Sequence, residues 1–359
     1  MICKKVKYKN FRNIQEAQIE LVNGVNIFYG DNAEGKTNAL EGIYLFANGK
    51  SFRSSSDRDL VNFSKDSGFI KMEFEDCVRE QEMEIKFVRG NRKICYRNGV
   101  NVKKVSEFLG YFRAVLFCPE HLSIVKEGPA ERRLFLDSAI CQLKPVYTAS
   151  LQKYNSILNQ RNMLLKNYED DKDTFNRTID LWSSYLAREA ALISKERYEY
   201  VKVLDSHVKD FFNDMTNGNE TALLEYNKQM NEEEYYRKLT QNLDKEIQAG
   251  TTLYGTHKDN IDIYLNGKEA RIFCSQGQQR CLALAMKLGE GEISKQVTGE
   301  YPVFLFDDIF SELDSKRKEY VTKEIKKCQV IITSCEKNGL ENFAGNVIEV
   351  ENGVYSKVK

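Results

Sequence analysis

Residues 30 to 37 read Gly30-Asp31-Asn32-Ala33-Glu34-Gly35-Lys36-Thr37, a G-x-x-x-x-G-K-[ST] run, and no other segment restricts the possible folds as much. A short apolar stretch ending in Ile27-Phe28-Tyr29 precedes it, and Leu40, Ile43, Tyr44 and Ala47 recur at helical spacing after it. Strand, glycine-rich loop and helix, in that order, are the setting in which such a run binds phosphate. The glycines let backbone N–H groups turn inward and approach phosphate oxygens at the positive end of the helix. Every residue from Gly30 to Thr37 is therefore expected against a nucleotide. The Lys36 ammonium would neutralise the β and γ phosphates, and the Thr37 hydroxyl would ligate Mg2+.

Two later segments extend this chemistry. Val303-Phe304-Leu305-Phe306-Asp307-Asp308 is an apolar strand ending in adjacent carboxylates. Buried strands rarely finish that way unless a cation or a proton transfer offsets the desolvation. Asp307 would hold Mg2+, directly or through water, and Asp308 would orient the attacking water as a general base. Lys36, Asp307 and Asp308 are thus the expected catalytic set. Ser275-Gln276-Gly277-Gln278 opens an apolar helix continuing through Leu282, Ala283 and Met286. Taken alone it reads as an ordinary N-cap or as a second anion cradle, with Ser275, Gly277 and Gln278 offering a hydroxyl and free N–H groups.

Residues 1–117 read as strands with one helix. Ile70, Met72 and Phe74, then Met83, Ile85 and Phe87, alternate with polar neighbours, and Asn98-Gly99 marks a hairpin turn. Residues 118–250 turn helical. Tyr147, Leu151, Tyr154 and Leu158 form one stripe; Ile179, Trp182, Leu186, Ala190 and Ile193 form another, continued by Val201, Leu204, Val208 and Phe211. Arg161 breaks the first stripe, and two helices too short for a rod are expected to make a compact lobe. Strands return over 251–359, with Asn266-Gly267 and Asn352-Gly353 as turns and Ala270–Phe273 as a strand. An α/β fold interrupted by a helical insertion follows.

Charge and composition exclude more than they select. Lys+Arg and Asp+Glu are 53 each, so any polyanion must be met by local patches. Nine cysteines without C-x-x-C spacing argue against a disulfide framework, and three His make a zinc site a poor fit. No run approaches the ~18 apolar residues of a membrane helix, and no signal region opens the chain, so a reduced, cytoplasmic setting without membrane contact is expected.

The phosphate loop, the S-x-G-Q helix start, and the acidic strand followed by Ser311-Glu312-Leu313-Asp314 occur in the order of ABC-type ATPase heads. The chain resembles these heads, here with a mixed sheet, a helical second lobe and no long coiled coil. Within them it is similar to the RecF family of bacterial recombinational repair and replication-fork proteins. Asn10-Phe11-Arg12-Asn13, Gly49-Lys50-Ser51, Phe117-Cys118-Pro119-Glu120-His121-Leu122, Gly128-Pro129, Arg132-Arg133-Leu134-Phe135-Leu136-Asp137 and Gly255-Thr256-His257-Lys258-Asp259 carry that resemblance, with the segments above. Thr256, Lys258 and Asn260 depart from the Pro, Arg and Asp of the family pattern.

The resemblance implies an ATP- and Mg2+-dependent homodimer in which Ser275, Gly277 and Gln278 of one copy close over the nucleotide of the other. It implies slow ATP hydrolysis, sequence-nonspecific binding of gapped or double-stranded DNA, and help in loading a recombinase with RecO- and RecR-type partners. It places Arg12 at the phosphates, Asp308 where transporters carry a catalytic Glu, and Thr333-Ser334 after the strand where they carry a switch His. Glu120 stands near the position of an inter-lobe coupling Gln. Two basic runs are candidates for DNA: Lys4, Lys5, Lys7, Lys9 and Arg12 with Tyr8 and Phe11, and Lys50, Arg53 and Arg58 with Phe52. A nucleotide switch that does not hydrolyse, and a transporter-driving subunit, are the competing readings; the long insertion speaks against the second.

Overall fold

The computed structural model describes residues 1–54, 56–226, 229–335 and 345–358, apart from the side chains of Val105, Ser311 and Glu312. The chain divides into two compact units, one of Met1–Leu122, Asp214–Gly218 and Ala283–Lys359, the other of Ser123–Asn213 and Asn219–Leu282.

The first unit contains two six-stranded sheets. One has the order Val354–Lys357, Gly345–Glu351, Val25–Tyr29, Val330–Ser334, Val303–Phe306, Ala114–Phe117. Its neighbours pair in parallel except at the edge strand Val354–Lys357. Val303–Phe306 and Ala114–Phe117 are buried at every residue, as unbroken apolar runs in a parallel sheet must be. The helix Lys36–Asn48 leaves the loop after Val25–Tyr29 and buries Leu40, Ile43, Tyr44 and Ala47, the residues whose spacing foretold it.

The other sheet is antiparallel, in the order Ile14–Glu20, Ile2–Phe11, Ser67–Glu75, Glu80–Val88, Ile94–Arg97, Val100–Val102. Its inner face (Val6, Tyr8, Ile70, Met72, Met83, Ile85) shares one apolar core with the phosphate helix and the parallel sheet. Contact is close enough that a Cβ on Gly42 would lie 2.5 Å from the Tyr8 ring, and the Tyr8 hydroxyl donates to the Ala39 carbonyl at 2.8 Å. Asn98 and Gly99 both take positive φ, as a type I′ turn requires, and so do the pairs at 266–267 and 352–353.

The second unit departs from the sequence reading in three ways. First, the stripe from Ile179 that continues through Val201 lies on a helix, Lys172–Thr216, of 45 residues. At 1.5 Å per residue it spans roughly 67 Å, far longer than expected. No Gly or Pro interrupts it, and its buried face runs unbroken through Leu186, Ile193, Val201, Val208 and Phe212. Second, the strand Ala222–Tyr226, absent from the sequence reading, pairs with Ile261–Leu265. That pairing keeps Ile261–Leu265 in this unit, so the border falls after Leu282 rather than at 251. Only Lys268–Glu269 adds a further strand, and Ala270–Phe273 is a helical turn.

Third, Arg161 does not break its stripe. It is wholly buried, donating to Glu246 at 2.6 Å, Thr252 Oγ1 at 2.8 Å and Ser183 Oγ at 3.1 Å. A charge in an apolar seam is tolerated because every face of its planar fork meets an acceptor. The resemblance-carrying segments of this unit are struts of the same kind. Arg197 donates to Asp137 at 2.8 Å and to the Thr256 carbonyl at 2.8 Å, and Arg132 donates to the Ile124 and Ile261 carbonyls. Among the described residues, no helix is long and apolar enough to cross a membrane.

Arg161→Met would strand the buried Glu246 carboxylate. Urea unfolding should show a loss of about 3–5 kcal/mol, most of it regained in the Arg161→Met/Glu246→Met pair. A loss below ~1 kcal/mol for the single variant would show that the pair is not what holds these helices together.

Candidate nucleotide site

The loop lies at the C-terminal end of the strand Val25–Tyr29, where its glycines have little room. A Cβ on Gly30 would sit 2.2 Å from the Val350 carbonyl oxygen, and Gly35 turns into the helix at φ 119°. Lys36 is buried, with its ammonium donating to the Gly30 and Asp31 carbonyls at 2.7 and 2.8 Å. The lysine therefore lies folded across the mouth of its own loop.

A collar that motif reading did not identify fixes the loop from outside. Asn13 Nδ2 donates to the Ala33 and Glu34 carbonyls at 3.3 and 3.2 Å, and its Oδ1 accepts from Asn38 at 2.7 Å. From the C-terminal hairpin, the Tyr355 hydroxyl donates to the Gly35 carbonyl at 2.9 Å and the Gly353 N–H to the Glu34 carbonyl at 2.8 Å. The Asn352 N–H also donates to the Glu34 carboxylate. Turn residues at 352 and 353 were legible; their target was not, because nothing local links them to a loop more than three hundred residues earlier.

Asp307 is buried at the end of its strand, and its Oδ1 accepts from Thr37 Oγ1 and Thr333 Oγ1, each at 2.8 Å. Burial pushes the Asp307 carboxyl up. The Thr333 and Thr37 hydroxyls hold it down, while the nearby Asp308 and Glu120 charges add to the rise. A hydroxyl and a carboxylate beside further acids form a hard-oxygen donor set, and next to a phosphate cradle that suits Mg2+, which takes few protein ligands. Asp308 occupies the left-handed region at φ 50°, its N–H donating to Thr333 Oγ1 at 2.9 Å. The Cys335 thiol donates to Asn32 Oδ1 at 2.9 Å and accepts from Lys36 Nζ at 3.4 Å. Sequence reading passed over both Thr333's bonds and Cys335.

Arg12, expected at the phosphates, has its fork engaged by the phosphate helix. Its Nε and Nη2 donate to the two oxygens of Glu41 at 2.8 and 2.6 Å, and Nη1 donates to the Asp59 carbonyl at 3.0 Å. In the second unit, Ser275 and Gln278 cap the helix Gln276–Thr298 reciprocally: Ser275 N–H donates to Gln278 Oε1 at 2.8 Å, and Gln278 N–H to Ser275 Oγ at 3.3 Å. Ser275 is exposed, Gly277 half-buried, and the preceding Ile272 and Phe273 are 66% and 64% exposed. Asp314 caps Ser315–Ile325 through the Arg317 N–H at 2.9 Å, while the side chains of Ser311 and Glu312 lie outside the described residues.

The two basic runs fare differently. Lys4 pairs with Glu75 at 2.8 Å and Glu80 at 2.5 Å, and Lys5 lies opposite Glu20 and Glu73. The N-terminal run is thus one row of a mixed-charge sheet face and not a basic patch. Lys50, Arg53 and Arg58 are exposed, and Arg53 donates to Asn38 on the phosphate helix at 2.8 Å.

The RecF/RecN/SMC N terminal domain family matches residues 2–356. DNA replication and repair protein RecF of Acetivibrio thermocellus is 37% identical over 366 residues, covering 98% of this chain and 99% of that protein. The Clostridium kluyveri RecF is 38% identical over 354 residues, covering 97% and 96%. A solved recombination mediator protein RecF-ATPrS of the RecFOR pathway superposes with a TM-score of 0.93 at 32% identity, covering 99% of this chain and 98% of that one. A Smc head domain from Pyrococcus furiosus shares the fold, at a TM-score of 0.59 and 16% identity over 99% and 96%.

Because Cys335 touches both Asn32 and Lys36, an alkyl group on its sulfur would fill space beside the ammonium. N-ethylmaleimide should weaken ATP binding more than tenfold, on the scale of losing a charge-assisted contact, and ATP should slow the labelling. Cys335→Ser should bind ATP and resist the reagent; equal sensitivity in that variant would refute the placement.

Proposed function

The chain belongs to the RecF family of DNA replication and repair proteins, and on that premise we propose that it is an ATP-dependent DNA clamp. Two copies pair on binding ATP, hold gapped or double-stranded DNA without reading its sequence, and help load a recombinase with RecO- and RecR-type partners. Slow hydrolysis to ADP and phosphate then lets the copies part. The observation that carries this reading is the convergence of Lys36, Thr37, Asp307 and Asp308 at one strand edge, while Ser275 presents an exposed helix start whose match in ABC-type heads serves the opposite subunit.

The residues divide the work by position. N–H groups of the loop from Gly30 to Thr37 cradle the phosphates, and Lys36 exchanges its two carbonyl acceptors for phosphate oxygens. Thr37 and Asp307 would hold Mg2+, which when bound supplies charge neutralisation to the phosphates. Asp308 orients the attacking water and takes its proton as the water oxygen bonds to the γ phosphorus and the bond from that phosphorus to the bridging oxygen breaks, releasing ADP and phosphate. Ser275 and Gly277 from the second copy bring the positive end of a helix to the same phosphate. Gln278 holds that helix start in shape through its bond with Ser275. Arg12 belongs to this set only if its fork leaves Glu41, a rearrangement that nucleotide binding would have to drive. Asp308 is one methylene shorter than Glu, which fits slow turnover and also a switch that binds without hydrolysing. Phosphate release separates those two.

Light scattering should give a monomer mass without nucleotide and twice that mass with Mg-ATP. Lys36→Ala and Ser275→Arg should each remain monomeric. A wild-type mass that ATP does not change would remove pairing from the proposal.

A further inference from the structure

Thr333 is absent from the nucleotide set that the motifs define, yet its hydroxyl bonds both acidic residues. It is 1% exposed, at the end of the strand Val330–Ser334, which pairs in parallel with both Val25–Tyr29 and Val303–Phe306. Its Oγ1 donates to Asp307 Oδ1 at 2.8 Å and accepts the Asp308 N–H at 2.9 Å. A hydroxyl has one proton and two lone pairs, so one bond of each kind fixes its rotor and makes the two contacts directional.

Geometry gives each bond a separate task. Asp307 takes Thr37 and Thr333 on the same oxygen, Oδ1, so two donors, one at a helix start and one at a strand end, define the carboxylate's rotation. Asp308 sits at φ 50° and ψ 11°, a conformation that costs a residue with a Cβ about 1 kcal/mol or more and needs an anchor. One anchor of its backbone is the bond from its N–H to Thr333, while the Cys335 thiol donates to its Oδ1 at 3.7 Å. Without the Thr333 bond the backbone would relax toward the right-handed region and swing the Asp308 side chain away from where it now points.

Resting on the nucleotide-site reading above, we propose that Thr333 is a positioning residue for hydrolysis: it sets the metal-holding carboxylate and the water-orienting carboxylate relative to each other. Its hydroxyl is already engaged by Asp307 Oδ1 and the Asp308 N–H, and it acts through those two residues. The phosphate loop itself makes no bond to it, so ATP affinity without metal is independent of it, whereas the gain in affinity on adding Mg2+ and the turnover at saturation both depend on it.

The test compares Thr333→Val, which keeps the shape and removes the hydroxyl, with Thr333→Ser, which keeps the hydroxyl. Fluorescent-ATP affinity is measured in EDTA and in a Mg2+ series, with phosphate release at saturating ATP. Thr333→Val should bind ATP within about twofold of wild type in EDTA. It should need about tenfold more Mg2+ to reach half its affinity gain, and should lose at least about tenfold in kcat, the scale of one hydrogen bond to a charged group. Thr333→Ser should recover most of both. A Thr333→Val protein with wild-type Mg2+ midpoint and kcat would overturn the inference, as would a Thr333→Ser protein as impaired as Thr333→Val. If the valine variant fails to fold, a serine variant with wild-type folding but a lost Mg2+ response overturns it alone. A wild-type protein without Mg2+-dependent hydrolysis would instead refute the hydrolytic reading on which the inference stands.

Discussion

One carboxylate oxygen, Oδ1 of Asp307, accepts hydrogen bonds from Thr37 and from Thr333, and those bonds draw three distant segments of the chain to one point. Asp307 ends an apolar strand, Thr37 opens the phosphate helix, and Thr333 closes the strand between them. The parallel sheet makes this possible, since parallel neighbours bring their C-terminal ends to the same edge. Burial raises the cost of the carboxylate's charge. The two hydroxyls offset part of that cost, and the remainder favours binding a cation. Much of the first unit serves to hold this edge still: a buried apolar core behind it, Tyr8 wedged against the Gly42 turn of the phosphate helix, and a collar around the loop.

The collar also explains a division of labour. Asn13 comes from the turn between the first two strands, and Gly353 and Tyr355 come from the last hairpin. Both are side structures, yet each bonds to loop carbonyls. A phosphate cradle needs its N–H groups presented and its carbonyls occupied elsewhere. Lys36 rests on two further loop carbonyls, those of Gly30 and Asp31.

What the sequence made legible follows from the range of the interactions. Hairpin turns at Asn98-Gly99, Asn266-Gly267 and Asn352-Gly353 depend on two adjacent residues, and all adopt the left-handed backbone that their composition allows. The phosphate helix and the strand ending in Asp307 were equally local. Arg161 misled because a charged residue in an apolar stripe reads as a break when its partner, Glu246, lies 85 residues away. The unit border moved for a related reason: the pairing of Ala222–Tyr226 with Ile261–Leu265, and the bond from Arg132 to the Ile261 carbonyl, hold that strand in the second unit. The N-terminal lysines looked like a basic run because the acids that neutralise them sit on neighbouring strands. Resemblance placed Thr333 after the strand where transporters carry a switch His, but its bonds gave no signal, since they form only once the ends of two strands meet.

The account stands or falls on whether the two cradles act across copies of the chain. Mixing Lys36→Ala with Ser275→Arg tests this directly, because each variant lacks one half of every site it forms with itself. A mixed pair keeps one complete site, made of Lys36 from one copy and Ser275 from the other. Because neither variant pairs with itself, the mixed pair is the only dimer that forms; it retains one of two sites, so phosphate release should return, to at most about half of the wild-type level. Release that stays at the level of the separate variants at every mixing ratio would contradict a site shared between two copies.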